Sequence, residues 1–222
     1  MRKEDTKNRI LDAALTLFSI HGYDAVSVGE IAQAVGIKAP SLYNHFASKQ
    51  AIFDAILCEA SAKYETETEA MSIHITDAAA DTTLFAAIDK DGLVCKVCAL
   101  FHRVLHDETL GRFRRMLTIE QFRSPELSAL YTSRFVNRMT DYHRGLFRRL
   151  IDAGVLIDAD PALLALAYVS PILVLLGICD RQPELEESCI EKLRAHVQLF
   201  YETYNRNQRE KEQQCNITKK HN

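Results

Sequence analysis

Apolar positions recur every three to four residues along most of the chain, while strand-like alternation is hard to find. An all-α protein is predicted. The first stripe, Ile10, Leu11, Ala14, Leu15 and Phe18, predicts a helix over residues 3–21 that Gly22 closes. A second stripe, Val28, Ile31, Ala32 and Val35, runs directly into Gly36, where a helix ends most easily in a left-handed conformation. Leu42 and Phe46, four apart, mark the inner face of a third helix, and Pro40 suits its first turn. Ser48 is placed to cap a fourth helix from near Lys49, with Ile52, Phe53, Ile56 and Leu57 on its apolar side. That helix is expected to continue through Tyr64 toward Ser72.

The junction of the second and third helices carries the strongest signal. Ser27 and Glu30 form a capping box: the hydroxyl accepts from the Glu30 amide while the carboxylate reaches back to the Ser27 amide. Ile37 fills the turn, and the small Ala32 lets the next helix cross closely. Leu11, Leu15, Phe18, Ile31, Val35, Leu42 and Phe46 then complete one three-helix core. Two short helices joined in this way are a helix-turn-helix, and the pattern points at double-stranded DNA.

The run from Arg9 to Leu57 resembles the tetracycline-repressor (TetR) family. The resemblance rests on Gly22-Tyr23, Ile31-Ala32, Val35-Gly36-Ile37 and the L-Y-N-H-F-x-S-K stretch from Leu42 to Lys49. It covers about the first quarter of the chain; the remainder matches only in length and helical pattern. It implies a homodimer that reads palindromic operator DNA, repression rather than activation, and backbone-phosphate contacts by Tyr43 and Lys49.

Beyond this module, residues 73–91 read as a looser stretch. Helices are expected at 92–106, 108–122, 124–153, 160–179 and 184–204. Ser124 caps the third of these, with Pro125 at its first position and Glu126 nearby; Leu130, Phe135, Met139, Tyr142, Leu146 and Leu150 face inward, and Gly154 ends it. Asp160 caps the next, again with proline, Pro161, following. The organisation is therefore an N-terminal three-helix module over 1–50, a larger helical effector-binding and dimerisation domain over 51–206, and a polar tail over 207–222.

Composition narrows the reading without reversing it. The net charge of −3 excludes a globally basic molecule, so any DNA contact must come from local groups such as Arg2, Lys3, Lys38, His45 and Lys49. Six cysteines without a signal peptide fit reduced thiols in a cytoplasm. The apolar run 162–178 is short for a membrane span and contains Pro171, so a buried or intersubunit helix is expected and no membrane partner. No phosphate-cradling glycine loop, nucleophile elbow, His-Glu-His zinc motif or dinucleotide fingerprint is found, which argues against an enzyme and implies no cofactor.

Candidate site residues follow from these elements. Lys38, Ala39, Pro40, Ser41, Tyr43 and Asn44 lie off the face that Leu42 and Phe46 bury. Lys38 can donate to guanine, Asn44 can address adenine, and Ala39 or Pro40 can touch a thymine methyl. Ser27, Tyr43, His45 and Lys49 suit phosphate contacts, which fix register without reading sequence. For a small-molecule effector, Phe101, Met116, Tyr131, Met139 and Tyr142 offer apolar walls, with His102, Arg138 and His143 as polar anchors. Arg112, Arg114, Arg115 and Arg138 suggest an anionic character for that effector. Cys95, Cys98, His102 and His106 share one helix face, and four ligands along one straight helix cannot converge on one ion. No metal site is therefore assigned, although metal- or thiol-based sensing remains an alternative, as does a small helical enzyme with an incidental DNA-binding fold. The helices over 160–180 and 184–204 carry surplus apolar surface, which predicts a four-helix interface between two copies.

Overall fold

The computed structural model describes residues 3–122 and 125–208. Arg2, Ser124 and the tail beyond residue 208 lie outside them, as do the side chains of Lys3, Glu126, Leu130 and Phe135. Among the described residues the chain is all-α, as its periodicity predicts. Eleven α-helices are named here in chain order: α1 (Lys3–His21), α2 (Val28–Val35), α3 (Ala39–Tyr43), α4 (Lys49–Glu69), α5 (Ala78–Ala87), α6 (Lys90–His106), α7 (Glu108–Glu120), α8 (Pro125–Tyr131), α9 (Arg138–Asp152), α10 (Pro161–Arg181) and α11 (Glu186–Tyr204).

The capping chemistry read from the sequence is present. Ser27 Oγ accepts from Glu30 N at 3.2 Å while Glu30 Oε2 accepts from Ser27 N at 2.7 Å. Gly36 takes φ 75°, the left-handed geometry that side-chain-bearing residues resist. Ser48 Oγ accepts from Ala51 N at 3.0 Å at the start of α4, and Asp160 Oδ1 accepts from Ala162 N at 2.8 Å at the start of α10. Gly154, at φ 72°, follows the end of α9.

Three expectations need correction. Residues 73–91 are not loose throughout, because Asp77 caps α5 by accepting from Ala79 N and Ala80 N. The small residues of α5 gave too weak an apolar stripe to announce it. The single helix expected over 124–153 is divided: a π-helical segment, Thr132–Asn137, stands between α8 and α9. Finally, the chain forms two compact units that interleave in sequence, Met1–Thr66 with His106–Ser133, and Glu67–Leu105 with Arg134–Asn222. A boundary at residue 50 fails because α7 packs on α1 and joins the first unit.

In the first unit the predicted core is observed: Leu11, Leu15, Phe18, Ile31, Val35, Leu42 and Phe46 are all buried. Leu110, Phe113, Met116 and Leu117 of α7 are buried in the same unit, so the module has a fourth wall that sequence reasoning missed. Polar clasps reinforce it. Arg112 reaches Asp12 at 2.8 Å and Thr16 Oγ1 at 2.6 Å, and Arg9 donates to the Val35 carbonyl at 2.6 Å, satisfying the end of α2.

The second unit is built on α9 and α10, with α5 against α9 and α11 against α10. Leu164, Ala165, Tyr168 and Val169 of α10, with Cys189, Leu193, Val197 and Phe200 of α11, form its buried side. One isolated antiparallel bridge, Leu156 to Asn205, ties the loop after α9 to the end of α11.

Candidate functional site

The first site is the surface of α3 and its flanks. Lys38, at the N-cap position, is extended and makes no side-chain capping bond, while Pro40 lies in the first turn. Leu42 turns inward at 0% exposure, and this fixes which neighbours turn outward. Lys38, Pro40, Ser41, Tyr43 and Asn44 are exposed, Ala39 and His45 half-buried. Tyr43 stands out at 52% exposure, large for an aromatic ring with no core to fill. The surface therefore offers an ammonium, an amide, a phenol and a hydroxyl within two helical turns.

Two candidates are also structural parts of the module. The Ser27 hydroxyl bonds to Glu30 at 2.7 Å, and the bonds from Ser27 hold the Glu30 carboxyl below its usual range. Lys49 Nζ donates to the carbonyls of Tyr23 at 2.8 Å and Val26 at 2.9 Å, and sits 4.2 Å from the centre of the Tyr23 ring. Its ammonium thus closes the loop between α1 and α2 and keeps one proton for another acceptor. The sequence alone read Lys49 only as a phosphate contact, because nothing local shows which carbonyls a lysine will meet.

The effector candidates do not form one group. Met116 is in the first unit at 0% exposure, and Tyr131 falls in the same unit. Arg112, Arg114 and Arg115 also belong there, with Arg112 bonded to Asp12 and Thr16, so they do not make the second unit's interior cationic. Phe101, His102, Arg138, Met139, Tyr142 and His143 belong to the second unit, with His102 exposed. Tyr142 donates its hydroxyl in a very short bond to Asp81, a carboxylate at 1% exposure that also accepts from His74 N and Nδ1 at 2.8 and 2.6 Å. Its hydroxyl is thereby engaged within the unit, and the ring is the part that corresponds to the apolar wall expected from the sequence. On α6, Cys95 is exposed and Cys98 half-buried, and burial pushes the Cys98 thiol up, the opposite of an activated thiolate.

Two of the candidates, His143 and Tyr142, join an aromatic cluster with Phe147, Tyr168, His196 and Phe200, which were not singled out for this role in the sequence. His143 lies beside Tyr142, Phe147 and Tyr168, with ring centres 5.0, 5.7 and 5.1 Å away. Phe200 and His196 extend the group from α11, 4.7 and 5.8 Å from Tyr168. His143 Nδ1–H donates to the Met139 carbonyl at 2.8 Å, and burial lowers the imidazole to about 4, so the ring is neutral at physiological pH. Contacts between α9, α10 and α11 bring these rings around two histidines, and no local spacing announces them.

The geometry defines a class, a helix-turn-helix DNA-binding module carried with a second helical unit. Residues 10–56 match the family model described as bacterial regulatory proteins, tetR family. A curated relative, the biofilm operon icaADBC HTH-type negative transcriptional regulator IcaR of Staphylococcus aureus (strain Newman), is 50% identical over 48 residues, 22% of this chain and 26% of that one. The chain thus matches about a quarter of that relative's length. Among solved structures, a tetR-family transcriptional regulator from Mesorhizobium loti MAFF303099 superposes with a TM-score of 0.67 at 23% identity, covering 92% of this chain and 99% of that one. A SmeT–triclosan complex superposes with a TM-score of 0.67 at 22% identity, covering 91% and 92%; SmeT is described as the repressor of a Stenotrophomonas maltophilia multidrug efflux pump. The DNA-binding module over residues 10–56 thus matches the tetR family's, and the fold as a whole is that of these solved structures.

Proposed function

We propose that this protein is a homodimeric transcriptional repressor that binds palindromic operator DNA and is released from it by a small organic effector held in the second unit. The observation that carries the proposal is the α2–α3 turn, whose buried Leu42 and left-handed Gly36 leave Lys38, Pro40, Ser41, Tyr43 and Asn44 on one exposed surface. Lys38 and Asn44 are assigned to base edges, with Ala39 or Pro40 against a thymine methyl. Tyr43, His45, Ser27 and the remaining proton of Lys49 are assigned to phosphates.

Dimerisation is assigned to α10 and α11. Leu163, Leu166 and Val174 of α10 and Leu199 of α11 are exposed at 64%, 52%, 58% and 64%, more apolar surface than a lone subunit explains. The length and mean hydropathy of α10, 2.4, would also allow a membrane span. Its buried side against α9 and α11 favours a subunit face, and with it a cytoplasmic protein. Two-fold symmetry would set the recognition helices about 34 Å apart for successive major grooves. An effector that binds better to a conformation with another spacing lowers DNA affinity by that difference. The SmeT–triclosan complex supports an organic effector, and no catalytic step is assigned.

Selection of binding sites from random duplexes tests the proposal. A palindromic consensus bound as a dimer is expected, with affinity falling steeply with salt. Binding without sequence preference, or turnover of a bound compound without DNA binding, would refute it.

A further inference from the structure

The helices α6 and α11 lie side by side in opposite directions. Lys90, the first residue of α6, pairs with Glu202 near the end of α11 at 2.8 Å, and midway the charge of Arg194 is felt at Cys98. Residue numbers rise along one helix as they fall along the other, so this register carries the last turn of α6 to the first turn of α11. There His102 and His106 of α6 meet Glu186 of α11. One ligand atom from each, two imidazole nitrogens and a carboxylate oxygen, lie within 4.8 Å of one another. His106 ends α6, so the continuous helix sets its place one turn beyond His102.

The chemistry of this set is that of a transition-metal site. Two histidines four apart on one helix face, joined by a carboxylate from elsewhere, supply three ligands and leave a fourth position to water. An ion holds such ligands at about 2.0–2.2 Å, which spaces them about 3.4 Å apart in a tetrahedron. Side-chain torsions can close the difference, because both histidines are exposed and Glu186 is half-buried. The same exposure leaves the ion a way in. The C-terminal end of α6 favours a cation, and the N-terminal end of α11 favours the carboxylate. Four ligands along one straight helix could not converge, but here α6 gives two and α11 the third. The Cys95 and Cys98 thiols are not members of the group.

We propose that His102, His106 and Glu186 bind a divalent transition-metal ion of the zinc class, which clamps the end of α6 to the start of α11. Imidazole with carboxylate suits Zn2+ or Co2+ over Mg2+, which takes oxygen ligands and keeps its waters. The proposal rests on neither the DNA-binding reading nor the organic effector.

Titration of the full chain, stripped of metal by chelation, with Zn2+ and Co2+ tests the site, with Mg2+ as control. Zn2+ is expected to bind in competition with Co2+ and to raise the melting temperature, since an ion held only by the folded chain stabilises it by mass action. Mg2+ should do neither. Bound Co2+ should show the visible bands of a nitrogen–oxygen site without thiolate charge transfer. In wild-type protein with labelled histidine, Co2+ should broaden the His102 and His106 imidazole resonances, a readout independent of how variants fold. His102→Ala, His106→Ala and Glu186→Gln should each weaken binding at least about tenfold, the loss that even an outer partner of a metal ligand causes. His21→Ala and Cys95→Ser, at exposed positions outside the group, should not. Binding of neither Zn2+ nor Co2+ would overturn the proposal and reduce the cluster to contacts between imidazoles and a carboxylate. A thiolate band that Cys95→Ser abolishes, or undiminished affinity in folded Glu186→Gln, would overturn it equally.

Discussion

The carboxylate of Glu120, at 0% exposure on α7, accepts the backbone N–H of Tyr23 at 2.8 Å, across ninety-seven positions of sequence. This bond fixes the loop between α1 and α2 from one side, while the Lys49 ammonium fixes it from the other through the Tyr23 and Val26 carbonyls. Both ends of the Tyr23 peptide framework are therefore held by long-range side chains. The DNA-binding module depends on α7 as well as on its own three helices.

Replacing Glu120 with Ala leaves the Tyr23 N–H without its acceptor and should destabilise the protein by about 1–3 kcal/mol. Glu120→Gln, whose amide oxygen can still accept, should recover part of that loss. Urea unfolding of the three proteins decides the point, and equal midpoints would show the bond to be immaterial.

Lys49→Ala should lower both stability and DNA affinity, because it removes two charge-assisted bonds, each worth about 1.5–3 kcal/mol in typical cases. Tyr43→Ala should weaken binding to all duplexes alike while leaving the melting temperature unchanged, since its ring is 52% exposed. Thermal melts paired with fluorescence anisotropy on specific and random duplexes separate the two effects. Unchanged affinity in Tyr43→Ala would remove that residue from the interface.

Lys38→Ala and Asn44→Ala should each relax preference at particular base pairs by about 1–3 kcal/mol if the contact is bidentate. Binding-site selection with each variant would show which position of the consensus loses information. A uniform loss across all sites would reassign the residue to phosphate.

Leu166→Glu or Val174→Glu, at exposed positions on α10, should yield a folded monomer if this face is the subunit contact. A buried charge without a partner is strongly unfavourable at an interface. Sedimentation velocity at micromolar concentration reads the result; two fully dimeric variants would move the interface elsewhere.

The His74–Asp81 pair gives a pH dependence of definite sign. The bond to Asp81 at 2.6 Å raises the His74 pKa above its ordinary value, and the neighbouring Glu69 and Asp77 add to the effect. The pair's contribution is fully present below the unfolded value near 6.5 and is lost as pH rises through the raised folded value. The melting temperature of wild type relative to His74→Gln should therefore fall between mildly acidic and mildly alkaline pH. A constant difference would show that His74 does not titrate against Asp81.

Much of this was legible locally. The Ser27–Glu30 box, the Gly36 stop, the Ser48 and Asp160 caps and the Leu42–Phe46 face each depend on residues within a few positions of one another. Local hydrogen bonds and helical period suffice to fix such features. The α5 helix was hidden because alanine and threonine give little periodic contrast, and the π-helical segment because no local residue type announces an inserted turn.

By itself the sequence determined the helix-turn-helix, its outward residues and the all-helical character of the chain, since spacing along one helix decides which side chains share a face. Tertiary structure alone decided that α7 belongs with the DNA-binding module, that Met116 and Arg112 lie within that module, and that the Tyr142 hydroxyl is held by Asp81. Those outcomes depend on partners tens of residues away. Which distant carbonyl, carboxylate or ring a side chain meets is set by how the helices pack, and the one-dimensional pattern carries no record of it.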